Sequence, residues 1–275
     1  MLLMSTTNPN FIFIDGSYYC FYRYFAIENW FKLAKPEEKI SNPIENETFV
    51  AKFRKTFVEK IKEIPKKLGI DNPIFIVGKD CPRKEIWRMN LFKEYKKNRE
   101  KDDGFLGGAF FKMAYNDKLF EDAGCKLILK HDHLEADDCI AMAVKHTLSR
   151  FPNANIWIIA SDMDYLQIAS EKVKIFSLKF KNLQDSKNSF KHAEKDLFCK
   201  IISGDKSDGI SPIFKKCGIK TAAKCYDDPE FFKSKMEKEP ESKEKFEKNT
   251  LLVDFSKIPQ KVVDEFNSGE YTTKY

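Results

Sequence analysis

Acidic side chains supply the first chemical signal in this 275-residue chain. Three apolar runs end close to an aspartate. FIFI at 11–14 precedes Asp15, PIFIV at 73–77 leads through Gly78 and Lys79 to Asp80, and NIWIIA at 155–160 leads through Ser161 to Asp162 and Asp164. A fourth group, Leu134-Glu135-Ala136-Asp137-Asp138, opens a helical pattern after KLIL at 126–129, and GDKSDG contributes Asp205 and Asp208. Each has an ordinary local role available. Asp132 and Glu135 have capping-box spacing, acids in a first turn favour the helix dipole, Asp162 and Asp164 could cap, and GDKSDG could be a polar turn. It is not a calcium loop, because the glycine and distal glutamate are misplaced. Taken jointly, the nine acids point to more. Two carboxylates 5 Å apart repel by roughly 3 kcal/mol at an effective dielectric near 20, so such a cluster needs cations. All-oxygen ligation suits Mg²⁺ or Mn²⁺ rather than zinc, and a pair of hard cations is common apparatus for phosphodiester hydrolysis.

Those acids can meet only if the chain brings strand ends together. The apolar runs, with KVKIF at 172–176 as a fifth, alternate with helical patterns at about 17–33, 48–68, 85–97, 109–122, 135–150 and 192–203. Strands alternating with helices of this length predict an α/β domain with a mostly parallel sheet flanked by helices. Ligands of such sheets sit outside the carboxyl ends of the strands, which is where these aspartates fall. Strands stop after about residue 204, so the expected division is 1–203 for the α/β domain and 204–275 for a small helical module.

Basic residues flank the acids. From Lys79 to Lys101 there are nine basic residues against four acidic ones, with Trp87, Phe92 and Tyr95 interleaved. On a helix, Lys93, Lys96 and Lys97 would share one face. Most such runs are solvated surface, but this one follows a strand-end aspartate and leads into the glycine-bearing segment 97–108, which suits phosphate contact. A second basic stretch, around Lys215, Lys216, Gly218, Lys220, Thr221 and Lys224, has a glycine turn into a helix, suited to grasping a duplex phosphate. Overall charge is +6, from 48 basic and 42 acidic residues. Setting nine clustered acids aside leaves 33 against 48, a net of +15, which favours a polyanionic partner.

Several classes drop out. No apolar stretch approaches the roughly 20 residues of a membrane helix, and the start MLLMSTTNPN lacks signal-peptide features. Seven cysteines without a CxxC pair, and four histidines outside zinc-ligand spacing, predict reduced thiols in a cytoplasmic protein.

In order, IDG at 14–16, WR-x₃-F-x₂-YKKNR from Trp87 to Arg99, LEADD at 134–138, SDMDYLQ at 161–167, GDKSDGI at 204–210 and GIKTA at 218–222 resemble the structure-specific 5′ nucleases, that is, the flap endonucleases and 5′→3′ exonucleases. The likeness covers about residues 11–265 and is nearest the ribonuclease H branch of the T-even bacteriophages, which the ending NTLLVDFSKIP also resembles. The resemblance implies a PIN-like core, a helical arch at about 85–122, and a C-terminal helix-three-turn-helix module that binds duplex. By motif match, Asp15, Asp80, Glu135 and Asp137 would serve one of two Mg²⁺ ions, with Mn²⁺ as a substitute. Asp137 would bridge to a second ion served by Asp162, Asp164, Asp205 and Asp208, with Asp138 beside them. Lys96 and Arg99 would contact the scissile phosphate; Arg88, Lys93, Lys97, Lys215, Lys216, Gly218, Lys220 and Thr221 would hold nucleic acid. Two departures stand out. The family's Phe-Asp at the second strand end is here Val77-Gly78-Lys79-Asp80, and the GIGPKTA consensus is contracted around Cys217-Gly218-Ile219-Lys220.

The expectation is a monomeric Mg²⁺-dependent nuclease acting at 5′ ends or flaps of DNA and RNA–DNA duplexes, removing primers in phage-type replication. A single-stranded-DNA-binding protein and a sliding clamp follow as partners by analogy alone. Two rivals are a haloacid-dehalogenase-type phosphatase, against which Leu166 stands where Thr or Ser is expected, and a non-catalytic binding scaffold, which would need a broken acid set.

Overall fold

The computed structural model describes residues 8–38, 40–98 and 104–269. Five strands, β1 (Asn10–Asp15), β2 (Ile74–Gly78), β3 (Leu127–Leu129), β4 (Asn155–Ile159) and β5 (Val173–Phe176), form one sheet in the order β3-β2-β1-β4-β5. Every pairing is parallel. The central strands β1, β2 and β4 are apolar on both faces, as strands covered on two sides must be, whereas the edge strand β5 exposes Lys174. Phe11, Phe13, Ile156 and Ile158 pack on one side, Ile12, Ile14 and Ile159 on the other.

One layer contains α1 (Gly16–Ala34), α2 (Glu47–Leu68), α4 (Gly108–Asn116) and α5 (Leu119–Asp122), joined through Phe49, Phe53, Phe57, Phe110 and Phe120. Asn46 caps the start of α2, accepting from the Phe49 N–H at 2.9 Å, and Gly69 ends it in the left-handed region that glycine tolerates. The opposite layer contains α6 (Ala136–Arg150), with Ile140 and Val144 on the sheet.

Two expected helices are interrupted. The pattern at 109–122 breaks at Lys118, whose φ of 57° separates α4 from α5. In the pattern at 85–97 only α3 (Trp87–Leu91) is helical, and turns follow to Asn98. Tertiary contacts override local propensity there. Tyr95 is buried, Lys96 takes a φ of 55°, and its N–H donates to the Asp208 carbonyl at 2.9 Å.

The remaining helices are α7 (Ala193–Ser203), α8 (Ile219–Asp227), α9 (Pro229–Lys238), α10 (Ser242–Val253) and α11 (Gln260–Asn267). Helix α7 shares an apolar cluster with α8, α9 and α10 through Cys199, Ile202, Phe214, Ala222, Phe232 and Phe246. Helix α11 returns to the sheet, burying Val262 and Phe266 beside α6. All seven cysteines are free thiols. Among the described residues no helix is long and apolar enough to cross a membrane.

Candidate metal centre

Parallel pairing aligns the strand ends, and the acids follow from that register. Asp15, the last residue of β1, lies opposite Gly78, the last of β2. Its Oδ1 accepts from the Tyr18 N–H at 2.9 Å, so one residue both ends the strand and caps α1. Asp80 stands two residues beyond β2 yet still reaches the site. Its Oδ1 accepts from the Ala136 N–H at 2.8 Å, and Oδ2 accepts from the Ser17 hydroxyl. The extra Val77-Gly78-Lys79 thus has a local reason. A Cβ at Gly78 would lie 2.8 Å from the Ala136 carbonyl, so only glycine lets β2 pass so close to the start of α6. Glu135 and Asp137 come from that helix start. Asp162 and Asp164 belong to the turn after β4, where Asp162 Oδ1 accepts from the Asp164 N–H at 2.9 Å. Asp205 and Asp208 sit in a tight turn closed by Gly209 at φ 74°.

Two groups of acids offer oxygens mutually within 4.8 Å: Glu135, Asp137 and Asp138, and Asp164, Asp205 and Asp208. The fully buried Tyr165 phenol links them to the strand ends. It feels the charges of Asp15, Asp137, Asp162 and Asp80, and its hydroxyl donates to Asp15 Oδ2 at 3.2 Å. Crowding shows in the ionisation. Burial, then the Asp80 and Asp162 charges, push Asp15 up to about 7. Burial and Asp162 raise Asp164 to about 7. Burial lifts Asp80, while Asp137 is held well above the usual range by burial, Asp138 and Glu135. Burial opposes the charge of Glu135 as well, but Lys96 and Arg88 outweigh it and keep that carboxyl low. Asp205 is likewise buried against its charge, yet Lys200 and Ser207 draw it down to about 2. A hard-oxygen donor set with several carboxyls disfavoured as anions fits divalent cations, whose charge would reverse those shifts.

Two lysines lie among the acids. Lys96 Nζ bonds Glu135 Oε1 and lies 3.8 Å from Asp208 Oδ2. Lys200, which sequence reasoning missed, stands 2.7 Å from Asp164 Oδ1 and 2.5 Å from Asp205 Oδ2. Its spacing on α7 matches any exposed helical lysine, and only the fold turns it toward the acids. Ser17, Tyr95 and Tyr165 were missed for the same reason. The Tyr95 hydroxyl donates to Glu135 Oε2 at 2.9 Å.

Arg88 differs from expectation, while Asp138 stands beside Glu135 and Asp137 as expected and has a partner the sequence does not show. Arg88, expected on the nucleic-acid surface, is 2% exposed. Its guanidinium grips Asp138 through two 2.7 Å bonds, reaches Glu135 at 3.1 Å, and donates through Nε to the Leu252 carbonyl of α10 at 2.7 Å. Asp138, expected near the metals, is fully buried and also accepts from Trp87 Nε1 at 3.0 Å. Its oxygens are committed to holding Arg88, a bidentate pairing suited to burial. Arg88→Ala is expected to lower folding stability by about 3–5 kcal/mol, because it strands buried carboxylates. Urea denaturation measures this, and a change below about 1 kcal/mol would contradict the structural role.

Among the other expected contacts, Arg99 lies outside the described residues. Lys93 and Lys97 are exposed, with Lys97 paired to Glu94 at 3.0 Å. Lys215, Lys216, Gly218 and Lys220 are exposed at the turn into α8, where Thr221 is half-buried. The structure therefore brings together Asp15, Asp80, Glu135, Asp137, Asp162, Asp164, Asp205, Asp208 and Lys96, and keeps the α8 lysines as a separate surface.

Known proteins share this fold. Residues 10–198 match the family model for the 5′-3′ exonuclease N-terminal resolvase-like domain. A 5′-3′ exonuclease of Buchnera aphidicola subsp. Acyrthosiphon pisum is 30% identical over 220 residues, covering 78% of this chain and 69% of that protein. One from Buchnera aphidicola subsp. Schizaphis graminum is 27% identical over 230 residues, covering 79% and 69%. Among solved structures, the bacteriophage T5 D15 protein co-crystallised with metal ions superimposes with a TM-score of 0.65 at 20% identity, covering 94% of this chain and 96% of that one. A T5 D15 flap endonuclease variant in a pseudo-enzyme-product complex with DNA and metal ions gives 0.63 at 20% identity over the same shares. With a family model spanning more than half its length, the chain belongs to the 5′-3′ exonuclease family and is a nuclease.

Proposed function

We propose that this protein is a Mg²⁺-dependent 5′ nuclease that cleaves phosphodiesters at 5′ ends or flaps of DNA and RNA–DNA duplexes, including primer RNA in a phage-type replication system. The observation that carries the proposal is the convergence of eight carboxylates from three strand ends, the start of α6 and one turn beside Lys96. The names of the relatives support it, as do the metal ions and DNA recorded with the T5 neighbours. Bound divalent ions supply charge neutralisation at the phosphate and an acidified water. Asp15, Asp80, Glu135 and Asp137 would hold one ion, and Asp162, Asp164, Asp205 and Asp208 the second. Lys96 would turn from Glu135 toward the phosphate oxygens as the transition-state charge develops. The exposed lysines at the turn into α8 would hold the duplex backbone, and Lys93 and Lys97 the strand near the site.

The test is incubation of the protein with 5′-labelled nicked, flapped and RNA–DNA substrates, with Mg²⁺ or with chelator, beside a small phosphate ester. Labelled short products that require Mg²⁺ support the proposal. Hydrolysis of the ester alone, or equal cleavage in chelator, refutes it.

Metal should also alter stability in a pH-dependent way. Because Asp15 and Asp164 titrate near 7 in the folded protein and near 4 when unfolded, the folded state binds more protons across that interval. Metal-free stability should therefore fall as pH rises from about 5 to 8. Saturating Mg²⁺ should reduce that fall and add about 2.7 kcal/mol at a hundredfold excess over Kd. Thermal melts at pH 5, 6.5 and 8 with and without metal check both parts, and a metal-free Tm that rises over this range contradicts the coupling.

A further inference from the structure

Beside the metal centre lies a cleft that the acids do not explain. It occupies about 440 Å³ between the edge strand β3 and the ends of α4 and α5, and its lining includes Lys79, Lys126, Lys130, Tyr115, Asn116 and Glu121. Three of these are basic and one is acidic. Lys126 and Lys130 flank the two ends of β3 and both line the cleft. The Lys79 N–H donates to the Leu129 carbonyl at 2.9 Å, which fixes Lys79 beside Lys130. Lys79 Nζ rests 4.3 Å from the centre of the Tyr115 ring. None of the three lysines makes an ion pair among the described residues. The buried Tyr115 hydroxyl, which lies against Gly16, has no hydrogen-bond partner among the described residues.

Lys79 immediately precedes the candidate ligand Asp80, and Lys130 follows the carboxyl end of β3, so the cleft adjoins the acids along the sheet edge. On the other side of β1 stand β4, its following turn and α7, which leads to the C-terminal helices. A polyanionic strand crossing the carboxylates from those helices would leave over β2 and β3. We propose that the cleft is a phosphate-binding subsite for the nucleic-acid backbone on the side of the scissile linkage away from the C-terminal helices. This assignment rests on the proposed function and extends it, giving the substrate a second electrostatic anchor whose role is placement rather than chemistry.

The test uses the full chain with Ca²⁺ in place of Mg²⁺ for binding. Lys126→Glu/Lys130→Glu spares Lys79, which neighbours the metal centre. It should raise the Kd for a flapped duplex about 10-fold and lower the slope of log Kd against log salt by about 2, one counterion per lost phosphate contact. Cleavage at saturating substrate and Mg²⁺ should stay within about twofold. The neutral pair Lys126→Met/Lys130→Met should show the same trend at smaller amplitude. Scanning the substrate with neutral methylphosphonates should reveal linkages that weaken wild-type binding and leave the variant unaffected. Unchanged Kd and salt slope in both variants overturn the assignment. So does an equal loss from Lys66→Glu/Lys67→Glu at the far end of α2, which would indicate general charge alone. A wild type that neither cleaves nor binds nucleic acid overturns the proposed function and the subsite together, whereas wild-type cleavage with normal binding by both variants removes the subsite only.

Discussion

Asp15→Asn is expected to lower Mg²⁺-dependent cleavage at least ~10³-fold while making the metal-free protein more stable. The two effects have one source. Asp15 is a partly buried carboxyl that desolvation and its neighbours Asp80 and Asp162 push up to about 7. At pH 8 without metal it is an anion held where its charge is disfavoured, and each pK unit corresponds to 1.36 kcal/mol, so the ceiling is about 4 kcal/mol. Asparagine removes the charge and retains an oxygen for the Tyr18 N–H that caps α1. It must still accommodate the Tyr165 hydroxyl, so a gain of about 1–3 kcal/mol is expected. Activity moves the opposite way, because losing a ligand forfeits several kcal/mol of charge stabilisation. Urea denaturation in chelator at pH 8 and at pH 5 should show a gain that shrinks at the lower pH, where the wild-type carboxyl is protonated. A less stable variant at pH 8, or one that cleaves at the wild-type rate, would count against the role assigned to Asp15.

Lys96→Ala should slow cleavage by about 10²–10³-fold, the usual consequence of losing one oriented donor to a developing oxyanion. Binding of a flapped duplex in Ca²⁺ should change by less than threefold, because Lys96 faces Glu135 and Asp208 rather than the solvent-exposed lysines of α8. The Tyr95 hydroxyl and Arg88 continue to hold Glu135 when the lysine is gone, so the fold should persist. Single-turnover rates separate the two effects. A loss in affinity equal to the loss in rate would make Lys96 an ordinary backbone contact.

Strands β1, β2 and β4 were legible because they are buried on both faces and so stand out as unbroken apolar runs, each followed within a few residues by an acid. That proximity located Asp15, Asp80, Asp162 and Asp164, and the start of α6 located Glu135 and Asp137. Segment 85–98 was harder to read. Its lysine spacing suits a helix, but burial of Tyr95 and the bond from the Lys96 N–H to the Asp208 carbonyl impose turns that no local pattern encodes. Arg88 looks like a surface charge in the sequence because a buried ion pair is defined only by its partner, here Asp138, fifty residues away. Lys200 and Ser17 are visible only once α7 and α1 are placed. The cleft beside β3 was hidden because its three lysines come from two strands and belong to different charge patterns.

Whether the scattered acids form one seat for a pair of divalent ions is measured directly by Mn²⁺ binding followed by electron paramagnetic resonance. Free Mn²⁺ gives a sharp signal that broadens on binding, so titration counts bound ions per chain. The account predicts two ions for the wild type, displaced by Mg²⁺, and at most one for Asp137→Asn. No bound ion at millimolar Mn²⁺, or binding unaltered by that substitution, would contradict it.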